Sequence, residues 1–441
     1  MGRRRVAHAQ PARLLDIRVD VAEPLGCGKG RASGRPSIIH HRLVRSLTAL
    51  VGFLALVAAT LVVWAGPSSG APPVTDEAGF RAAWTTPAVT SIDLGANITL
   101  TCPGGGVADR PAGTVAVDGH GYTITQTCPS DQVLLMDGID PVSFANVTIT
   151  GGQATGGQTG GGVKSHGPLT FTNAVVTGNS STSTGGGISA LAAGSSLTLS
   201  ETTVSNNHAT AGGGGAETAG SAVLTNSTVS GNTSAAGGAG ISAVAGVTMT
   251  GSTVSGNTAT AGGGGIAAST ISATNSTIVG NTAGVAGGGG VTGATVTLDY
   301  VTVTQNDAPT GANVVAGILS SFASVVAQPQ GGGQNCLVTV PGSQGFNFSD
   351  DGSCGFTLTT DHEGAGDPVL GPLANNGGPT ETRLPLTASP LIDAIPVASC
   401  QADGAAGVTT DQRGVTRPQG PGCDIGAVEV QVTAIVASFT G

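Results

Sequence analysis

The 441-residue sequence predicts an all-β chain: a right-handed parallel β-helix, or solenoid, closed by a disulfide-containing C-terminal capping region. Three observations carry that expectation. They are a repeat of about 25 residues, a two-residue apolar alternation inside each repeat, and a composition poor in aromatic and charged side chains.

The repeat is plainest where TNSTVSGNTSAAGGAGI, starting at Thr225, returns as TGSTVSGNTATAGGGGI from Thr250. Its asparagines are Asn179, Asn207, Asn232, Asn257, Asn281 and Asn306, at steps of 28, 25, 25, 24 and 25 residues. Three residues before each stands Val176, Val204, Val229, Val254, Ile278 or Val303, and an aliphatic residue, Val163, Ile188, Ala216, Ile241, Ile266 or Val291, follows each glycine block. Pairs such as Leu197/Leu199 and Val247/Met249 alternate with polar residues, which is the period of a strand and not of a helix. Strands of about 3 to 5 residues cannot form hairpins with a core of their own. Coiled as successive rungs, each pairs with its copies about 4.8 Å above and below, and valine lands on valine.

The polar positions then acquire roles. Gly231 and Gly256 provide the positive φ of a tight turn, and the asparagines after them are expected in the left-handed region with amides bonded from rung to rung, a ladder through the six positions named above. A second, patchier ladder is expected through Asn146, Asn173, Asn226 and Asn275. The glycine blocks at 185–187, 212–215, 262–265 and 287–290 mark places where no Cβ fits, and they lack the aspartates of a calcium-binding β-roll.

Taken from the N-terminus, residues 1–46 hold ten Arg/Lys against three Asp/Glu and are expected to be untranslated or disordered. Leu47 to Ala65 is an uninterrupted apolar run with Arg42 and Arg45 before it, so 47–71 reads as a signal peptide or signal anchor ending near Gly70 or Ala71. Residues 72–90 form the N-terminal cap: Thr75 or Asp76 starts a short helix whose Phe80 and Trp84 cover the first rung. The coil is assigned to 91–330, a C-terminal region to 331–430 and a tail to 431–441. Cys102, Cys128, Cys336, Cys354, Cys400 and Cys423 fit export, and pairing them in sequence closes three local loops. No histidine lies near any pair, so no metal is assigned to them.

The formal charge is −10, of which residues 1–46 contribute +7, leaving −17 and six basic residues in the rest. That balance excludes nucleic acid and anionic lipid as partners. Charged residues are sparse in the repeats, which argues against a groove catalyst. DGHGYTI, Asp118 to Ile124, resembles the G-H-G of polygalacturonases but lacks paired aspartates at the expected upstream place, and it reads as a β-turn entering a strand around His120. Asp350, Asp351, Asp361, Glu363 and Asp367 read as solvated acidic turns, with a calcium loop as the alternative. Thr203/Ser205, Thr228/Ser230, Thr253/Ser255, Thr277/Val279 and Thr302/Thr304 flank the buried aliphatic position and give a face of hydroxyls interrupted at Val279.

After Asn306 the period dissolves and new blocks appear: GFNFSDDGSCGF, LGPLANNGGPT, SPLID, DQRGVTRP and CDIGAVE. In this order they resemble the C-terminal region of choice-of-anchor Q domain proteins, right-handed parallel β-helices displayed outside the cell on varied anchors. The GGGI and TVSGN repeats also resemble repeats of polymorphic outer-membrane adhesins. The resemblance supplies no catalytic residues. LPLTA at Leu384 to Ala388 mimics a sortase signal but lies inside the SPLID block and reads as a loop. The expectation is a secreted or surface-displayed, non-catalytic monomer that adheres to a polysaccharide or surface polymer without a cofactor. It meets a membrane only through an uncleaved N-terminal segment, and the alternative is a polysaccharide lyase or hydrolase.

Overall fold

The computed structural model describes residues 72–431 other than 104–105, 286 and 401–406, so the N-terminal apolar segment lies outside the described residues. The chain is a parallel β-helix, and its strands assemble along the coil into a 16-stranded, a 12-stranded and a narrow 6-stranded sheet. Like residues stack: Val204 pairs with Val229 and Val229 with Val254, while Leu197 sits on Ala222 and Leu199 on Leu224. These inward side chains form one continuous apolar column, and Val204, Val229, Val254, Ile278 and Val303 are all fully buried. Stability therefore accumulates along the column, each aliphatic contributing about 1.5–3 kcal/mol relative to exposure.

Helix α1, Glu77–Trp84, covers the N-terminal end of the column. Asp76 caps it by accepting from the Gly79 amide at 2.7 Å, and Phe80 and Trp84 are buried. Trp84 stacks on Phe144, and Phe144 on Phe171, so the helix seals the column through aromatic rings.

The asparagine ladder runs through the interior. Each side-chain amide from Asn179 to Asn281 donates to the carboxamide oxygen of the next rung's asparagine at 2.8–3.1 Å. From Asn207 to Asn306 it also donates to the carbonyl oxygen of Val176, Val204, Val229, Val254 or Ile278 at 3.0 Å. Gly231 and Gly256 have the expected positive φ, but the ladder asparagines do not: the left-handed conformation falls on the residue before each, Gly178, Asn206, Gly231, Gly256, Gly280 and Gln305. The ladder asparagines themselves bond through both backbone and side chain, and the preceding residue makes the turn. The ladder also outlasts the repeat, passing from Asn306 to Asn313 at 2.9 Å, then to Asn335 at 2.8 Å, and ending on Asp350 at 2.6 Å. Glycine is needed opposite it: a Cβ on Gly265 would lie 2.6 Å from the Gly290 carbonyl and 3.1 Å from the Asn281 amide carbon.

The coil likewise extends beyond residue 330, because Cys336–Gly345 pairs in parallel with Val314–Phe322, and Phe348–Ser349 with Val325–Ala327. The cysteines form Cys102–Cys128, Cys336–Cys354 and Cys400–Cys423, with Cα–Cα separations of 5.1, 4.9 and 5.8 Å. Beyond the coil, Leu370–Ala374 and Thr382–Pro385 form an antiparallel pair, as do Ile395–Pro396 and Gly422–Cys423. Leu384 and Pro385 of LPLTA belong to the first pair, and Leu386 to Ala388 form its exposed continuation.

Candidate functional site

The C-terminal region folds back onto the 12-stranded sheet and covers half of the hydroxyl face. Gln412 donates to the hydroxyl oxygens of Thr253 and Thr380, both at 2.9 Å, and accepts from Thr277 at 2.7 Å. Thr253 donates to the Glu381 carbonyl, Thr302 accepts from the Ala427 amide, and Thr304 accepts from Arg383. Thr253, Thr277, Thr302 and Thr304 are consequently buried, which corrects the expectation that these positions all face outward. Thr203, Ser205, Thr228 and Ser230 remain partly exposed.

DQRGVTRP and CDIGAVE hold this arrangement together. Arg417 pairs with Glu429 at 3.0 Å with both side chains buried, and its guanidinium lies 4.0 Å from the centre of the Tyr300 ring. Arg413 pairs with Asp411 at 2.8 Å. The acidic loop that follows Cys336 is similarly committed: Asp350 accepts from Gln328 N and Asn335, Asp351 from Ser353 N and Asn335 N, Asp361 from Asn347 N and Leu358 N, Glu363 from Gly355 N and Asp367 from Val369 N. These carboxylates serve as acceptors for the loop's own amides, as structural turns require.

The open surface lies toward the N-terminus, along the corner where the chain passes from the 16-stranded to the 12-stranded sheet. His120, Asn146, Asn173, Glu201, Gly251, Asn226 and Asn275 occupy that corner, each with positive φ. The φ of 44° to 50° at His120, Glu201 and the four asparagines lies in the left-handed region, which asparagine tolerates well. Asn146 donates to Asp118 at 3.0 Å and accepts from Asn173 at 2.8 Å. The second ladder expected from the sequence stops there, because Glu201 and Gly251 interrupt it, and Asn275 donates to the Thr410 carbonyl instead.

Beside this row is an open groove of about 540 Å³ lined by His120, Gly121, Asn146, Val147, Thr148, Asn173 and Val175. A second hollow of about 250 Å³ lies further along the same corner, between Asn226, Gly251 and Asn275 on one side and Thr410 to Gly414 on the other. At the N-terminal end, His120 Nε2 is 3.3 Å from Asp93 and Nδ1 is 3.8 Å from Asp118. The turn expected around His120 is present, with φ of 48° there and 89° at Gly121. The sequence places Asp118 in the DGHGYTI turn but gives no sign of Asp93, which lies on the adjacent rung and pairs with Asp118 across the sheet although 25 residues separate them in the chain. Only the rung register, Ile92 on Val117, reveals that pairing. Among the described residues, Asp93, Asp118 and His120 form the set of three whose ligand atoms lie within 4.8 Å of one another and could hold a metal ion.

No curated protein and no solved structure matches the chain. A family model described as a pectate lyase-like adhesive domain matches residues 72–308, which includes the helical cap, the open corner and the regular rungs. On that match and on its parallel coil, the chain belongs to the pectate lyase-like adhesive domain family, a β-helix family.

Proposed function

We propose that this protein is a secreted or surface-displayed, non-catalytic adhesin that holds a glycan or surface polymer along the open corner of its coil. The observation that carries this reading is the uncovered row of Asn146, Asn173, Glu201 and Asn226 beside a groove, on a molecule whose opposite half of the same face is covered by its own C-terminal region. Rigid, evenly spaced polar groups suit polymer binding, since little conformational freedom is lost on contact. The C-terminal blocks are read as a choice-of-anchor Q-like region whose motifs supply Gln412 and Arg417, the residues that dock on the coil. The protein's three disulfides accord with an extracellular setting.

A second reading rests on a specific observation: Asp93, Asp118 and His120 converge at the groove's end, as an acid–base set for glycoside cleavage would. Purified protein incubated with plant, bacterial and host polysaccharides, with both retention and new reducing ends measured, separates the two. Retention without reducing ends is the expected result. Release of reducing ends that is lost in His120→Ala would replace the adhesin with an enzyme.

A further inference from the structure

The chemistry of the corner also specifies its ligand. Building on the adhesive reading above, we infer that the groove selects an uncharged, hydroxyl-rich linear polysaccharide and rejects polyuronates.

The first argument is charge. Of the six cationic side chains among the described residues, five are engaged internally: Arg81 by Glu77, Arg110 by the carbonyls of Trp84 and Val89, Arg383 by Thr304 and Gln328, Arg413 by Asp411 and Arg417 by Glu429. The sixth, Lys164, lies on the strand Val163–Ser165 of the 16-stranded sheet and interacts electrostatically with Asp109. The corner instead presents the Glu201 carboxylate to solvent, with the carboxylates of Asp93 and Asp118 largely buried beside His120. A chain carrying one carboxylate per sugar would meet like charge with no lysine or arginine to offset it.

The second argument is hydrogen-bonding capacity. The Asn173 carboxamide oxygen, the Glu201 carboxylate and the Asn226 amide accept or donate no hydrogen bond within the described residues, and all three side chains reach solvent. This set is richer in acceptors than in donors, so its complement is a ligand with many hydroxyl donors. Thr148, Thr203 and Thr228 on the adjoining sheet add hydroxyls, and the exposed ring of Tyr122 adjoins Gly121 of the groove.

The third argument is shape. From His120 to Asn226 the exposed corner positions recur at each rung, so the open row extends roughly 19 Å at about 4.8 Å per step. That step is close to the rise of one sugar in an extended polysaccharide, which lets successive residues meet equivalent side chains.

The test uses the secreted chain and a matched panel of neutral glucans, mannans and galactans against polygalacturonate and alginate, each with calcium and with chelator. Neutral chains should bind at least about tenfold more tightly than polyuronates, with little dependence on salt. The double substitution Asn173→Gly, Asn226→Gly, which keeps the left-handed backbone, should weaken neutral binding about tenfold with the fold retained by circular dichroism, and Glu201→Lys should raise polyuronate affinity. Polyuronate binding that is lost in the double variant would overturn the charge selection while leaving the corner as the adhesive site. Polyuronate binding only with calcium would also overturn it and direct attention to Asp93, Asp118 and His120. Absence of binding to every polymer would overturn both this inference and the adhesive reading.

Discussion

Burial pushes the Asp299 carboxyl up to about 7, and its Oδ1 has no hydrogen-bond partner among the described residues. An unfolded aspartate ionises near about 3.9. Between these values the folded chain holds a proton that the unfolded chain has released, so stability falls as pH rises and the loss is complete above about pH 7, on the order of 4 kcal/mol. Asp299→Asn is therefore expected to raise the melting temperature at about pH 8 and to change it little at about pH 4, as read by circular dichroism. Equal shifts at both pH values would contradict the assignment. Asn257 presents the opposite case, a buried polar group with every partner in place. Its amide donates to Val229 O, Ser255 O and Asn281 Oδ1, and its oxygen accepts from Asn232 twice. Asn257→Leu would strand the partners on both sides and is expected to cost about 3 kcal/mol or more in denaturant unfolding. The six repeated asparagines were legible in the sequence because they keep the period. Asn313 and Asn335 were not, because the ladder crosses to the other side of a shortened loop at Asn306.

The C-terminal region is an element held to the coil both by polar contacts and by a buried apolar cluster in which Leu391, Ile395 and Ile425 pack with Tyr300, Phe322 and Phe348. Gln412 alone links Thr253, Thr277 and Thr380. Gln412→Ala should leave these buried hydroxyls short of partners and loosen the antiparallel pair Leu370–Ala374 and Thr382–Pro385 before the rungs themselves open. Hydrogen exchange would show faster labelling across 370–430 with the Val229 and Val254 strands unchanged. Uniform acceleration along the chain would mean that the region and the coil unfold together. The DQRG block was legible as a family motif, but its role was not. Its partners lie more than a hundred residues away, on strands whose pattern of Thr and Ser is the same whether they face solvent or protein.

At the scale of the molecule, a coil built by stacking leaves a sheet edge at each end unless something covers it. Helix α1 provides that cover at the N-terminus through Phe80 and Trp84, both buried, with the Trp84 indole donating to the Ala108 carbonyl at 3.2 Å. Removing residues 72–90 from the chain is expected to expose the first rung and yield larger assemblies than the intact chain in light scattering, whereas the Asp76→Ala variant should match the intact chain in size and lose only about 1 kcal/mol. A truncated chain no larger in assembly than the intact one would show that the rung beneath is self-sufficient.

What the sequence determined by itself is whatever repeats. Strand period, rung length, inward valines, interior asparagines and the helical cap each follow from local spacing and side-chain type, because stacking makes every rung solve the same packing problem. What only the tertiary structure decided is where the repeat is put to unequal use. The covered and open halves of the hydroxyl face have the same sequence pattern, and the difference arises from a distant segment docking on one of them. The cluster of Asp93, Asp118 and His120 likewise exists only because the coil lays one rung on the next, bringing to 3.3 Å groups that lie 27 residues apart in the chain.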